Sequence, residues 1–216
     1  MKLKTPFLWF TQIINGTPRP WEYFKVDGVM VNFYDIFKKP KAYEKICREG
    51  INKYLNFNGL TAIDSGGFLI LKNKSIDLDP VMLMDFYEQA KPRYCVVLDY
   101  PLAPGLSSAE RRKRITKTLK NTKLMLEHKK TSNPILIPVI HGHHPKTIRK
   151  FVNELQQMYD FEIYGIGSLV PSVFTMKGAG GIHNVVRIVM YVRKLLPDKI
   201  IHVFGVGSTL TMHLMF

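Results

Sequence analysis

The chain has 216 residues, 46% of them hydrophobic, enough to bury a full core as a single domain. Its 31 Lys and Arg against 17 Asp and Glu give a formal net charge of +14, which favours a polyanionic partner over a free small-molecule substrate. Cys47 and Cys95 alone exclude a disulfide framework and a self-sufficient four-ligand zinc site; with no signal segment and no run of roughly 18 apolar residues, a cytoplasmic protein without a membrane partner is expected.

Short β-branched or apolar runs alternate with longer amphipathic ones along the chain. The first predicted strand is Gly28 to Tyr34, followed by a helix from Pro40 to Leu55 with proline in its first turn. The second strand, Leu60 to Asp64, runs into Asp64-Ser65-Gly66-Gly67-Phe68. There an acid and two glycines let the backbone approach a planar ligand while one carboxylate faces it. The plainer alternative is an Asp that forms a turn by bonding its own backbone.

A helix from Pro80 to Ala90 leads to the strand Tyr94 to Asp99, apolar up to Leu98, as in a parallel sheet covered on both faces. The next helix, Ser108 to Lys130, opens on the capping-box arrangement Ser107-x-x-Glu110. It carries Arg111, Arg112, Lys113, Arg114, Lys117, Lys120, Lys123, Lys129 and Lys130 against Glu110 and Glu127. Such a helix repels itself unless something negative lies alongside, and nucleic acid is favoured over a membrane; a solvated basic face is the alternative. The strand Ile135 to His141, helix Pro145 to Tyr159, strand Ile163 to Gly167, helix Ile182 to Leu196 and strand Ile200 to Gly205 follow, and Leu210 to Phe216 reads as a further helix.

Six strands, each followed by a helix, fit a doubly wound sheet or a (β/α)8 barrel. A doubly wound sheet gathers its site at one switch point, whereas here unusual residues follow strands two to six. The α/β reading is therefore a (β/α)8 TIM-type barrel with about six of its eight units present, as one domain over residues 1–216. An unrelated phosphate-binding barrel, resting on Gly205-Val206-Gly207-Ser208 at a helix N-terminus, leaves Asp64 and Asp99 unexplained.

The strand tips Asp64-Ser65-Gly66-Gly67-Phe68, Leu98-Asp99-Tyr100-Pro101, Pro138-Val139-Ile140-His141-Gly142, Tyr164-Gly165-Ile166-Gly167-Ser168-Leu169 and His202-Val203-Phe204-Gly205-Val206-Gly207-Ser208 resemble, in order and spacing, the guanine transglycosylases. These exchange a base in tRNA, and their relatives insert 7-deazaguanines into DNA. The resemblance covers nearly the whole chain from Gly28. It implies exchange of guanine for a 7-deazaguanine of the queuine type in DNA or tRNA, by a pentosyltransferase working through a covalent glycosyl-enzyme intermediate.

The resemblance makes Asp64 the general acid/base, with Ser65, Gly66 and Phe68 at the base; Phe68 would stack on it, or else pack as a core ring. Asp99 corresponds to the carboxylate that recognises guanine, whose N1–H and exocyclic amine form a donor pair that adenine lacks. His141 stands where the family usually has Gln, and either could bond the O6 and N7 edge. Gly167, Ser168 and Leu169 match the turn whose backbone N–H groups hold the base carbonyl, with Ser168 in place of a second glycine. Phe204, in place of a common Met, and Gly205 line the pocket. Arg111, Arg112, Arg114 and Lys117, with Lys177 beside Gly178-Ala179-Gly180-Gly181, supply cationic surface for the nucleic-acid backbone.

Other departures are Leu69, where a polar residue usually follows the aromatic, and the nucleophile. The resemblance puts the nucleophilic Asp on a strand beyond Phe216, together with any structural zinc ligands. No cofactor and no metal are therefore expected here, His141-Gly142-His143-His144 lying on a turn without the spacing of a hydrolytic zinc site. The chain is expected to be a fragment, a split subunit with a complementing C-terminal chain, or an inactive nucleic-acid-binding relative, and to associate as a homo-oligomer through an exposed edge. The missing zinc cysteines tilt the expected substrate slightly toward DNA.

Overall fold

The structure is a computed structural model that describes residues 5–72, 78–170 and 181–207. Its contacts divide the chain into two compact units, Met1–Leu98 with Leu124–Leu136, and Asp99–Lys123 with Ile137–Phe216.

The first unit is built on a sheet whose strands lie in chain order: β1 (Trp9–Thr11), β2 (Gly28–Asn32), β3 (Leu60–Asp64), β4 (Tyr94–Val96) and β5 (Ile135–Ile137). The β1–β2, β2–β3 and β3–β4 pairs are parallel, and Asn32 lies opposite Asp64 at the matching ends of β2 and β3. Its helices are α1 (Phe33–Phe37), α2 (Pro40–Glu49), α3 (Ile51–Leu55), α4 (Gly67–Lys72) and α5 (Pro80–Ala90). Asp79 caps α5 by accepting from the N–H groups of Val81 and Met82, which relieves two of the donors a helix start leaves unpaired.

An aromatic cluster joins α1, α2 and α5. Phe86 stacks on Tyr43 at 4.8 Å between centroids and meets Phe33 at 5.0 Å. Phe33, Phe86 and Tyr87 are all fully buried, and the Tyr87 hydroxyl donates to the Val96 carbonyl at 2.9 Å. Each aromatic pair contributes about 0.5–1.5 kcal/mol beyond the area it buries.

The second unit holds three parallel strands, β6 (Val139–Ile140), β7 (Ile163–Ile166) and β8 (Ile200–Val203). Its helices are α7 (Pro145–Met158), which buries Ile148, Phe151, Val152 and Leu155, and α8 (Gly181–Leu195), which buries Val185, Ile188 and Val192. Ahead of them in the chain, after α5 and β4, comes α6 (Ser108–His128), most of which belongs to this unit. Ser107 caps it, accepting from the Glu110 N–H. The buried Thr118 ties it to the loop after β4, its hydroxyl accepting from Tyr100 N–H at 2.9 Å and donating to the Arg114 carbonyl.

The fold is α/β, parallel strands alternating with helices, the repeat from which (β/α)8 barrels are built. Eight strand segments stand among the described residues, not the six predicted. β1 was not foreseen. The strand predicted over Ile135 to His141 is two, because Pro138 has no N–H to give a ladder. The helix predicted over Pro40 to Leu55 breaks at Gly50, whose φ of +84° no helix accommodates. The first predicted strand stops at Asn32, where α1 begins, and Gly67 to Lys72 is a helix. The predicted helix at Leu210 to Phe216 lies outside the described residues. Among them, no helix is long and apolar enough to cross a membrane.

If the aromatic cluster holds α5 against α1 and α2, Phe86→Ala should lower stability by about 3–5 kcal/mol. Urea denaturation followed by circular dichroism measures it, and a loss under about 1 kcal/mol would show that the cluster is dispensable.

Candidate functional site

Asp64 is the last residue of β3, and its carboxylate is held from the neighbouring strand. Asn32 Nδ2 donates to Asp64 Oδ2 at 2.9 Å, while Asn32 Oδ1 accepts from the Tyr34 N–H at 2.9 Å. A single amide thus caps α1 and orients the acid. Gly66 follows with φ +87°, and a Cβ there would lie 3.0 Å from Asn32 Oδ1 and from Tyr34 Cβ, so the turn closes over Asn32 only because residue 66 has no side chain. Ser65 is buried, whereas Phe68, on α4, is 46% exposed. Phe68 is not a core ring. Asn32 falls inside the strand predicted over Gly28 to Tyr34, which hides its role; its signal is an N-cap residue type directly after an apolar run.

The second unit brings four of the expected site residues together. Asp99 follows β4 along the chain and is 6% exposed; His141, directly after β6, is 0% exposed. His141 Nε2 lies 2.9 Å from Asp99 Oδ2. That approach is close but out of line for a hydrogen bond, so the contact is electrostatic more than directional. On the other side of the ring, Nδ1 is 2.8 Å from Ser168 Oγ, which also accepts from the Leu102 N–H at 2.7 Å. Both ring nitrogens therefore face protein groups.

Gly167 lies against the same imidazole: a Cβ there would meet His141 Cε1 at 2.7 Å and Val139 Cγ1 at 2.8 Å. Ser168 has φ +65°, a left-handed backbone that costs a non-glycine residue about 1–2 kcal/mol. Its two hydrogen bonds, at about 0.5–1.5 kcal/mol each, are enough to offset that strain. Leu169 is fully buried. After β8, Phe204 lies over the backbone of Gly165, where an added Cβ would come within 2.5 Å of its ring. Gly205 has φ +68° and faces Val170, whose Cγ2 would sit 2.2 Å from a Cβ.

Other titratable groups have local duties. His144 caps α7, its Nδ1 accepting from the Lys146 N–H. Burial, with the charge of Arg111 adding to it, holds His143 below the usual histidine value. Burial pushes His202, edge-on to Phe204, down to about 4, so it is neutral near pH 7. Among the described residues no three His, Cys, Asp or Glu side chains are grouped to hold a metal ion.

The cationic residues of α6 divide. Arg114 is only 17% exposed, its guanidinium donating to Glu110 Oε1 at 3.0 Å and to the Pro101 carbonyl at 2.9 Å. Arg111 Nε donates to the Leu106 carbonyl, and Lys117 Nζ stands 4.2 Å from the Tyr100 ring centroid. Arg112 and Lys113 are exposed. Arg114 thus anchors the loop after Asp99, while Arg112 faces solvent. Lys177 lies outside the described residues, as does Ser208.

A family model described as Queuine tRNA-ribosyltransferase matches residues 2–215. The chain belongs to that family. Among similar proteins, a tRNA-guanine(15) transglycosylase of Methanococcus vannielii is 26% identical over 184 residues, covering 84% of this chain and 28% of the relative. That of Pyrococcus abyssi is 25% identical over 202 residues, covering 91% and 33%; that of Methanopyrus kandleri is 25% identical over 219 residues, covering 99% and 46%. The chain therefore spans less than half the length of each of these relatives.

The contrast between packed and open positions in this family member is testable by stability alone. Gly167→Ala should cost about 2–3 kcal/mol, since neither a buried imidazole nor a strand valine can move aside freely. Phe68→Ala, at an exposed ring, should stay within about 0.5 kcal/mol of the parent. Thermal unfolding of the two variants checks both, and the reverse order would contradict the packing described.

Proposed function

We propose that this chain is the base-recognising part of a guanine transglycosylase, exchanging guanine in a nucleic acid for a 7-deazaguanine. The observation that carries the reading is the buried carboxylate of Asp99, set after a parallel strand and backed by His141. A fixed carboxylate matches the paired N1–H and 2-amino donors of guanine and rejects the acceptor at N1 of adenine. Gly167, Leu169, Phe204 and Gly205, in the same unit as Asp99, would flank the base.

The chemistry follows glycosidase logic. A carboxylate attacks the anomeric carbon, the bond to N9 of guanine breaks as a carboxylate–sugar bond forms, and the base leaves with a proton from Asp64. The incoming base then returns a proton from N9 to Asp64 as it displaces the carboxylate. Asn32, by holding Oδ2 of Asp64, leaves that proton's position defined. No residue described above is assigned as nucleophile. The names of the similar proteins favour tRNA over DNA as the nucleic acid, and the target nucleotide has to leave its stack to reach a buried acid.

Asp99→Asn replaces an acceptor oxygen with an amide donor facing the donor edge of the base. Calorimetry with free 7-deazaguanine should show a loss of about 2–4 kcal/mol in binding, with the melting temperature nearly unchanged. Equal affinity in an equally stable variant would remove Asp99 from the site.

Exposed and anchored cations should also separate. Charge reversal at Arg112 and Lys113 should weaken tRNA binding whatever its sequence, and lower the slope of log K against log salt by about one per lost phosphate contact. Arg114→Glu should instead lower the melting temperature. A salt slope unchanged by the double reversal would make this face of α6 a solvated surface only.

A further inference from the structure

Within the cluster around Asp99, the side chains of His141 and Ser168 touch each other at 2.8 Å. The hydroxyl of Ser168 has one proton to give and already accepts from the Leu102 N–H. The nearest group able to take that proton is His141 Nδ1. If Nδ1 carried a proton instead and the ring were neutral, the Nε2 lone pair would stand 2.9 Å from a carboxylate oxygen, two electron-rich atoms in contact inside a site closed to water. The stable arrangement therefore has the ring proton on Nε2, against Asp99.

We infer that Ser168 is a positioning residue: by donating to His141 Nδ1 it fixes the tautomer that keeps the electropositive Nε2–H side of the ring beside Asp99, a contact electrostatic more than directional, and so favours a carboxylate able to accept the N1–H and 2-amino edge of a purine. The inference rests on the base-recognising reading above. The strained backbone of Ser168, φ +65°, fits the role. Glycine would remove the strain but also the hydroxyl, leaving Nδ1 without a donor and both tautomers open to a neutral ring. Gly167 has no Cβ for the same reason, since one would displace the imidazole from between its two partners.

The test joins a spectroscopic signature with a binding measurement on the full chain. In 1H–15N spectra of the imidazoles, with His141 assigned through His141→Gln, the parent should carry its proton on Nε2 and an unprotonated Nδ1. Ser168→Gly, which relieves the backbone and should keep the parent's melting temperature, should move those shifts toward a mixture of tautomers. It should weaken 7-deazaguanine by about three- to tenfold, the worth of one hydrogen bond, and hypoxanthine, which lacks the 2-amino group, by less. Ser168→Asn tolerates the left-handed backbone, brings an amide N–H toward Nδ1, and should recover part of the loss. A parent ring with its proton on Nδ1, or a Ser168→Gly chain with unchanged tautomer or unchanged affinity, overturns the inference. A parent that binds neither purine while its tautomer responds to Ser168→Gly as stated leaves the relay standing and contradicts the base-recognising reading instead.

Discussion

A carboxylate withdrawn from water costs several kcal/mol unless charge or donors meet it, and that requirement at Asp99 shapes everything beside it. One partner is His141, itself fully buried, so its second nitrogen also needs a partner and its ring needs room. Ser168 provides the first by adopting a left-handed backbone, and Gly167 provides the second by having no side chain. The oxygen of Ser168 then takes the Leu102 N–H, which pulls the loop after Asp99 onto the same cluster. Arg114 grips that loop again at the Pro101 carbonyl, and Thr118 at the Tyr100 N–H. One buried charge thus accounts for a glycine, a strained serine and three anchors on a loop that otherwise has no regular structure.

Asp64 is handled differently because it is less enclosed. A neutral amide is among its partners, and Asn32 reaches it because parallel pairing puts the ends of β2 and β3 side by side. A neutral donor orients an acid without fixing its charge, which suits a group that has to give and take a proton. A buried ring set against the carboxylate suits a group whose task is to remain an acceptor. The two acids of the strand tips are therefore supported in ways that match the separate parts proposed for them.

Much of this was legible in the chain. The strand Leu60 to Asp64 and the helix Pro80 to Ala90 stand where apolar runs and proline starts put them, and the basic helix begins at its capping serine. Short elements escaped, for a physical reason: α1 and α4 have five and six residues, too few for a 3.6-residue period to show. Asp99 and His141 could be named from the sequence, but not their contact, since their separation along the chain hides it. Nor could the sequence show that His141 has a protein group close to each of its ring nitrogens. Likewise charge counting could not tell Arg112 from Arg114, because which cation turns inward depends on the carbonyl of Pro101 and not on composition.

The central claim is that Asp99, held by His141, reads the donor edge of a guanine-like base. A crystal structure of the chain soaked with 7-deazaguanine tests it most directly. The account expects N1 and the 2-amino nitrogen of the base about 3 Å from the Asp99 carboxylate oxygens, with His141 still in contact with Ser168. A base bound elsewhere, or seated with an acceptor edge toward Asp99, would contradict it.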